Sequence, residues 1–159
     1  MEMQIYKYIP DRMYGFTIDG QGRQAFFHLG AFHADHLPVR HAHCLSCPHK
    51  SCSWVETPPP PIQGERVEVT VDFSANSDKS PRASRVVRLE EPLISTGVVD
   101  VFYGKRGFGF IKGEKDSFFL HRSEMLAGRI PIQGQRVMFY VGTRDGKPRA
   151  CYIKVCDHE

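Results

Sequence analysis

The sequence predicts an all-β chain folded as two small five-stranded barrels in tandem. Three observations point there. The first is texture. TGVVDVFY (Thr96–Tyr103), GFGFIK (Gly107–Lys112), SFFLH (Ser117–His121), QRVMFYVG (Gln135–Gly142) and ACYIKV (Ala150–Val155) are short runs rich in Val, Ile, Phe and Tyr, broken by Gly, Pro, Lys and Asp. The second is that no segment sustains a helical period. The third is an internal repeat.

IQGERVEVTV (Ile62–Val71) matches IQGQRVMFYV (Ile132–Val141), and SPRAS (Ser80–Ser84) matches KPRAC (Lys147–Cys151). Upstream, MYGFT (Met13–Thr17) answers GFGFI (Gly107–Ile111), and QAFFHLG (Gln24–Gly30) answers SFFLHRS (Ser117–Ser123). Four blocks in one order imply two copies of one unit. Five strands joined by tight turns, TRDGKP (Thr143–Pro148) among them, suit a closed barrel of the oligonucleotide-binding type.

The copies differ in length at one place. Thirty-four positions separate His28 from Ile62, and 11 separate His121 from Ile132, so the first copy carries about 23 extra residues. The expected organisation is a diverged unit over 1–90, interrupted by a Cys/His-rich insertion at about 33–61, and a second unit over 94–156.

Composition bounds the function classes. The chain is 41% hydrophobic and 25% charged, which is ordinary for a globular protein. It holds no run of about 18 apolar residues, and Met1 to Pro10 lacks the basic start and apolar centre of a signal peptide. A cytoplasmic location is the expectation. Residues 1–92 carry 10 Lys/Arg against 11 Asp/Glu, whereas residues 93–159 carry 11 against 7, so the second half is the better polyanion binder. Carboxylates are scattered and no nucleophile–base set stands at a recognisable spacing, so no catalysis is expected.

Alternation along the strands defines a candidate surface. If Ile111, Phe118 and Leu120 fill a barrel, then Phe108, Phe110, Phe119 and His121 share its outside. Exposed rings on adjacent strands suit the bases of a single strand, each stack contributing roughly 1–3 kcal/mol. Lys105 and Arg106 stand at the rim, where phosphates pass.

At this point STGVVDVFYGKRGFGFIKGEKDSFFLHRSEM, then QGQRVMFYV, then DGKPRACYIKV, resembles the cold-shock domain from end to end. KRGFGFI (Lys105–Ile111) and SFFLH resemble its two ribonucleoprotein-like motifs. The resemblance implies a barrel that binds single-stranded RNA or DNA by stacking, often as an RNA chaperone or a regulator of transcription or translation. The residues it carries over are Phe102, Lys105, Phe108, Phe110, Phe119 and His121. This chain has Asp100-Val101 where the family has Lys-Trp, and Arg122 where an aromatic often follows the histidine. The first departure predicts weaker or differently selective binding, which Arg122 offsets by stacking or by reaching phosphate.

Residues 1–88 resemble a second, diverged copy, with Tyr8, Tyr14, Phe16, Phe26 and His28 at the matching positions and Lys7 where the family has Trp. Met13 replaces the glycine before the aromatic pair. The second copy's face is expected to dominate binding.

The insertion contains Cys44-x2-Cys47-x4-Cys52, with His41 and His49 nearby. Three thiolates and one imidazole are a common zinc set. His41 stands at His-x2-Cys spacing as the fourth ligand and His49 is the alternative. Zn2+ would staple a segment with too few apolar residues for a core of its own. The competing class of function is a protein-interaction adaptor, with the insertion docking a partner; a redox or metal sensor is a third.

Overall fold

The computed structural model describes residues 1–34, 59–72 and 81–156. The chain divides into two compact units. Of the described residues, 1–34, 59–72 and 81–91 form the first and 92–156 the second. Among the described residues there is no α-helix, and no helix is long and apolar enough to cross a membrane.

The first unit contains β1 (Glu2–Ile9), β2 (Tyr14–Ile18), β3 (Gln24–His28), β4 (Phe32–His33), β5 (Arg66–Thr70) and β6 (Arg85–Arg88). They form one sheet in the order β3-β2-β1-β5-β6-β4. Burial alternates along β1 and β5, as a strand with one buried face requires. Met3, Ile5, Ala25, Phe27, Val67, Val69, Ala83 and Val86 form the core. The sequence predicts a five-stranded barrel here; the structure pairs six strands. After the 3-10 turn Leu29–Ala31 the chain makes the two-residue β4, parallel to β6, and Phe32 packs against the core. A single parallel bridge links Phe26 on β3 to Arg82: the Phe26 N–H donates to the Pro81 carbonyl at 2.8 Å and the Ala83 N–H to the Phe26 carbonyl at 2.7 Å.

Among this unit's described residues two polar side chains are buried, Thr17 and Arg88, and of these Arg88 is the charged one. Arg88 on β6 is 1% exposed and its guanidinium grips the Glu65 carboxylate at 2.6 and 2.9 Å. It also donates to the Pro60 carbonyl at 2.9 Å and lies 5.0 Å over the Phe32 ring. The second Glu65 oxygen accepts the Ile62 N–H at 2.6 Å, so one carboxylate neutralises the cation and ties down the turn before β5.

The second unit contains β7 (Ile94–Tyr103), β8 (Phe108–Lys112), β9 (Ser117–His121), β10 (Arg136–Arg144) and β11 (Lys147–Val155). These close into a barrel in the order β10-β11-β9-β8-β7. Closure is parallel, Arg149 on β11 pairing with Phe119 on β9. Val99, Ile111, Phe118, Leu120, Met125, Val137, Phe139, Ala150, Ile153 and Val155 fill the interior. Ile111, Phe118 and Leu120 thus stand inside, as alternation predicts.

Both units contain a β-bulge in their first strand, between Ile5 and Lys7 in β1 and between Val99 and Val101 in β7. A bulge adds one residue to one strand and inverts which side chains face in beyond it. This inversion decides the composition of both candidate faces.

Candidate nucleic-acid interface

In the second unit β8 and β9 pair Phe108 with His121 and Phe110 with Phe119. Direct partners in an antiparallel pair share a face, so these four side chains meet outside the barrel. The Phe108 and Phe119 rings stack with centroids 5.8 Å apart and planes 21° from parallel. Phe110 meets them edge-on, at 6.5 and 6.0 Å. Phe110 is 37% exposed, and Phe108, Phe119 and His121 are half-buried. The three rings form one contiguous, partly exposed aromatic patch.

Alternation without a bulge misassigns β7. Beyond the bulge Val101 pairs with Phe110, Phe102 with Gly109 and Tyr103 with Phe108. Phe102 therefore turns inward, where it packs against the core while remaining partly exposed; it does not join the rings. Tyr103 takes the outer position, 5.3 Å from Phe108 and 48% exposed. The signal for this exchange is Gly109. A Cβ there would lie 2.1 Å from the Val101 carbonyl oxygen and 2.8 Å from the Phe102 Cα, so β7 passes where only hydrogen fits.

The cations gather at one end. Lys105 and Arg106 lie exposed in the β7–β8 turn, closed by the Arg106 and Gly107 N–H groups donating to the Tyr103 carbonyl. The Arg122 N–H donates to the Gly107 carbonyl at 2.9 Å, which brings exposed Arg122 to the same turn. His121 caps the 3-10 turn Arg122–Glu124, its Nδ1 accepting the Ser123 N–H at 3.1 Å. With Nδ1 the acceptor, the neutral ring carries its proton on Nε2, a donor available to a base or phosphate. At the far edge Arg149, 7% exposed, places its guanidinium 5.5 Å from the Phe119 ring centre and 3.9 Å from Glu124. Sequence reasoning missed Tyr103 and Arg149: the bulge leaves no mark in β7 itself, its sign being Gly109 on the next strand, and the barrel closure leaves none.

Ser95 to Cys156, all but the first residue of this barrel's strands, match the family model described as 'Cold-shock' DNA-binding domain. The second unit matches a cold-shock domain. Cold-shock domains are nucleic-acid-binding, non-catalytic modules. A solved structure titled "drosophila Unr CSD456" is 16% identical over 98% of this chain and 60% of that one, with a TM-score of 0.39. The chain thus spans under two thirds of that structure's length. No curated protein matches the chain. Within the matched span, Asp100 is the exposed extra residue of the bulge, and Val101, paired with Phe110, stands on the ring-bearing face.

The first unit places its candidate residues in a similar way. Tyr14 pairs with His28 and Phe16 with Phe26. The rings of Tyr14, Phe16 and Phe26 form a triangle with sides of 6.1, 5.3 and 5.7 Å. His28 caps the turn Leu29–Ala31, its Nδ1 accepting the Gly30 N–H at 3.1 Å. The Leu29 N–H donates to the Met13 carbonyl at 2.8 Å, and Met13 adopts φ 55° where Gly107 adopts φ 75°. Tyr8, like Phe102, lies beyond a bulge and turns inward: it pairs with Gly15, stacks 6.4 Å from Phe27 and packs against the core. Burial raises its phenol pKa. The structure therefore brings Tyr14, Phe16, Phe26 and His28 together and leaves Tyr8 out. Cys44, Cys47, Cys52, His41 and His49 lie outside the described residues. Among the described residues no cluster of three or more His, Cys, Asp or Glu stands ready to hold a metal.

Proposed function

We propose that this chain binds single-stranded RNA or DNA without catalysis, stacking bases on the outer face of the second unit. The observation that carries the reading is the contiguous surface of Tyr103, Phe108, Phe110 and Phe119 with His121 beside it and Lys105, Arg106 and Arg122 at one end. Rings supply sequence-tolerant affinity and cations follow the backbone, a combination suited to an RNA chaperone or a regulator acting on exposed strands. In duplex DNA or RNA the bases stack on one another, so this face selects unpaired strands.

The proposal includes the first unit as a diverged copy of the second. Its support is the shared pattern of bulge, inward aromatic opposite glycine, outward rings, histidine cap and parallel bridge. It includes Zn2+ on Cys44, Cys47, Cys52 and one of His41 or His49, supported by ligand type and spacing. Elemental analysis of protein purified without chelator is expected to find about one zinc per chain; zinc-free, folded protein would remove that part.

The binding reading is tested by titrating labelled heptanucleotides, RNA and DNA, at two salt concentrations. Phe108→Ala is expected to weaken binding about 5- to 150-fold, the equivalent of one lost stack. Unchanged affinity in that variant would reject stacking, and affinity independent of salt would reject the phosphate contacts. A folded wild type that binds no oligonucleotide at micromolar concentration would favour the adaptor reading.

A further inference from the structure

The family match ends at the second unit, and no comparison assigns a role to the first. Register places two cations beside its rings. Lys7 on β1 pairs directly with Phe16 on β2, and both therefore stand on the outer face. The bulge between Ile5 and Lys7 puts it there: without the extra residue Tyr6, Lys7 would turn inward. On the opposite side Arg82 bridges to Phe26, while its neighbour Ala83 is buried in the core. Alternation then directs Arg82 outward. Lys7 and Arg82 are both exposed.

Across this face the order is a cation on β1, rings on β2 and β3, and a cation on the segment leading into β6. The second unit differs at both edges. Val101 occupies the place beside Phe110, and Arg149, beside Phe119, is buried against Glu124. The first unit thus keeps its edge charges open to a ligand where the second spends one on packing and lacks the other.

A triad of rings with an exposed cation on each side fits a polymer of stacked planes strung on anions. We infer that the outer face of the first unit is a second binding surface for single-stranded nucleic acid, with Tyr14, Phe16 and Phe26 stacking bases and Lys7 and Arg82 contacting phosphates on either side. The inference rests on the stacking function proposed for the second unit and adds Lys7 and Arg82, in a region outside the family match, to the rings that the repeat had already located. It adds a binding role for the first unit to the expectation that the second copy's face dominates.

The test uses the full chain with the second face disabled by Phe108→Ala and Phe119→Ala, surface changes that leave the core cluster intact. Labelled oligonucleotides, RNA in one arm and DNA in the other, are titrated across a salt series. Residual, salt-dependent binding is expected. Phe16→Ala in this background is expected to reduce it about 5- to 150-fold. Lys7→Ala and Arg82→Ala are each expected to lower the slope of log affinity against log salt by about 0.7. Thermal melts confirm that each variant is folded. If the wild type binds and the Phe108→Ala/Phe119→Ala chain does not, this inference falls and the second unit's role stands. Residual binding with a slope unmoved by both cation variants also overturns it. A wild type that binds nothing removes both readings together.

Discussion

Glu65→Ala is expected to destabilise the first unit by about 3–5 kcal/mol, the largest effect of any single change considered. The side chain it removes is the only carboxylate bonded to the Arg88 guanidinium among the described contacts, at 2.6 and 2.9 Å, and Arg88 is 1% exposed. Without Glu65 a full positive charge stays in the interior with the Pro60 carbonyl and the Phe32 ring as its remaining described neighbours. Neither neutralises it. The Ile62 N–H loses its acceptor in the same step, which loosens the turn into β5. Urea denaturation, with amide exchange along β5 and β6 as a local probe, measures the loss. The paired change Glu65→Leu with Arg88→Met removes both charges and is expected to restore most of the stability, since an apolar pair of similar volume needs no desolvation. A Glu65→Ala chain within 1 kcal/mol of wild type would show that the pair is solvated and would overturn this account.

Gly109→Ala is expected to destabilise the second unit by about 3 kcal/mol, the upper end of the range for overpacking, and to reduce oligonucleotide binding with it. An added methyl is cheaply accommodated where it meets only the far end of a flexible side chain. Here the added methyl would meet backbone, the Val101 carbonyl at 2.1 Å and the Phe102 Cα at 2.8 Å, so β7 itself has to retreat from β8. That movement separates Tyr103 from Phe108, which now lie 5.3 Å apart across the same two strands. Gly104→Ala is the control. Nothing lies within 4 Å of a Cβ there, and stability is expected to stay within about 0.5 kcal/mol of wild type. Thermal melting and heptanucleotide titration of both variants check the contrast; equal melting temperatures for Gly109→Ala and wild type would overturn it.

These two sites differ in how visible they are from the chain alone. KRGFGFI announces Gly109 by its odd composition, a glycine between two phenylalanines, although the reason it is needed lies in β7, a strand away. The pairing of Arg88 with Glu65 has no such mark. The two residues are 23 positions apart and look like ordinary surface charges in the sequence.

The sequence by itself determined the all-β class, the second unit's five strands, and the side of the sheet on which Phe108, Phe110, Phe119 and His121 stand. Period-two alternation is local, so those assignments need no partner strand. The repeat likewise located Tyr14, Phe16, Phe26 and His28 without coordinates. Tertiary structure alone decided the rest. An extra residue in β1 and in β7 inverted the parity beyond it, sending Tyr8 and Phe102 inward and bringing Lys7 and Tyr103 out. Parallel contacts between distant segments set Arg82 beside Phe26 and Arg149 beside Phe119. Bulges and barrel closure arise from pairing between strands, and a pairing is a property of two segments that neither one encodes alone.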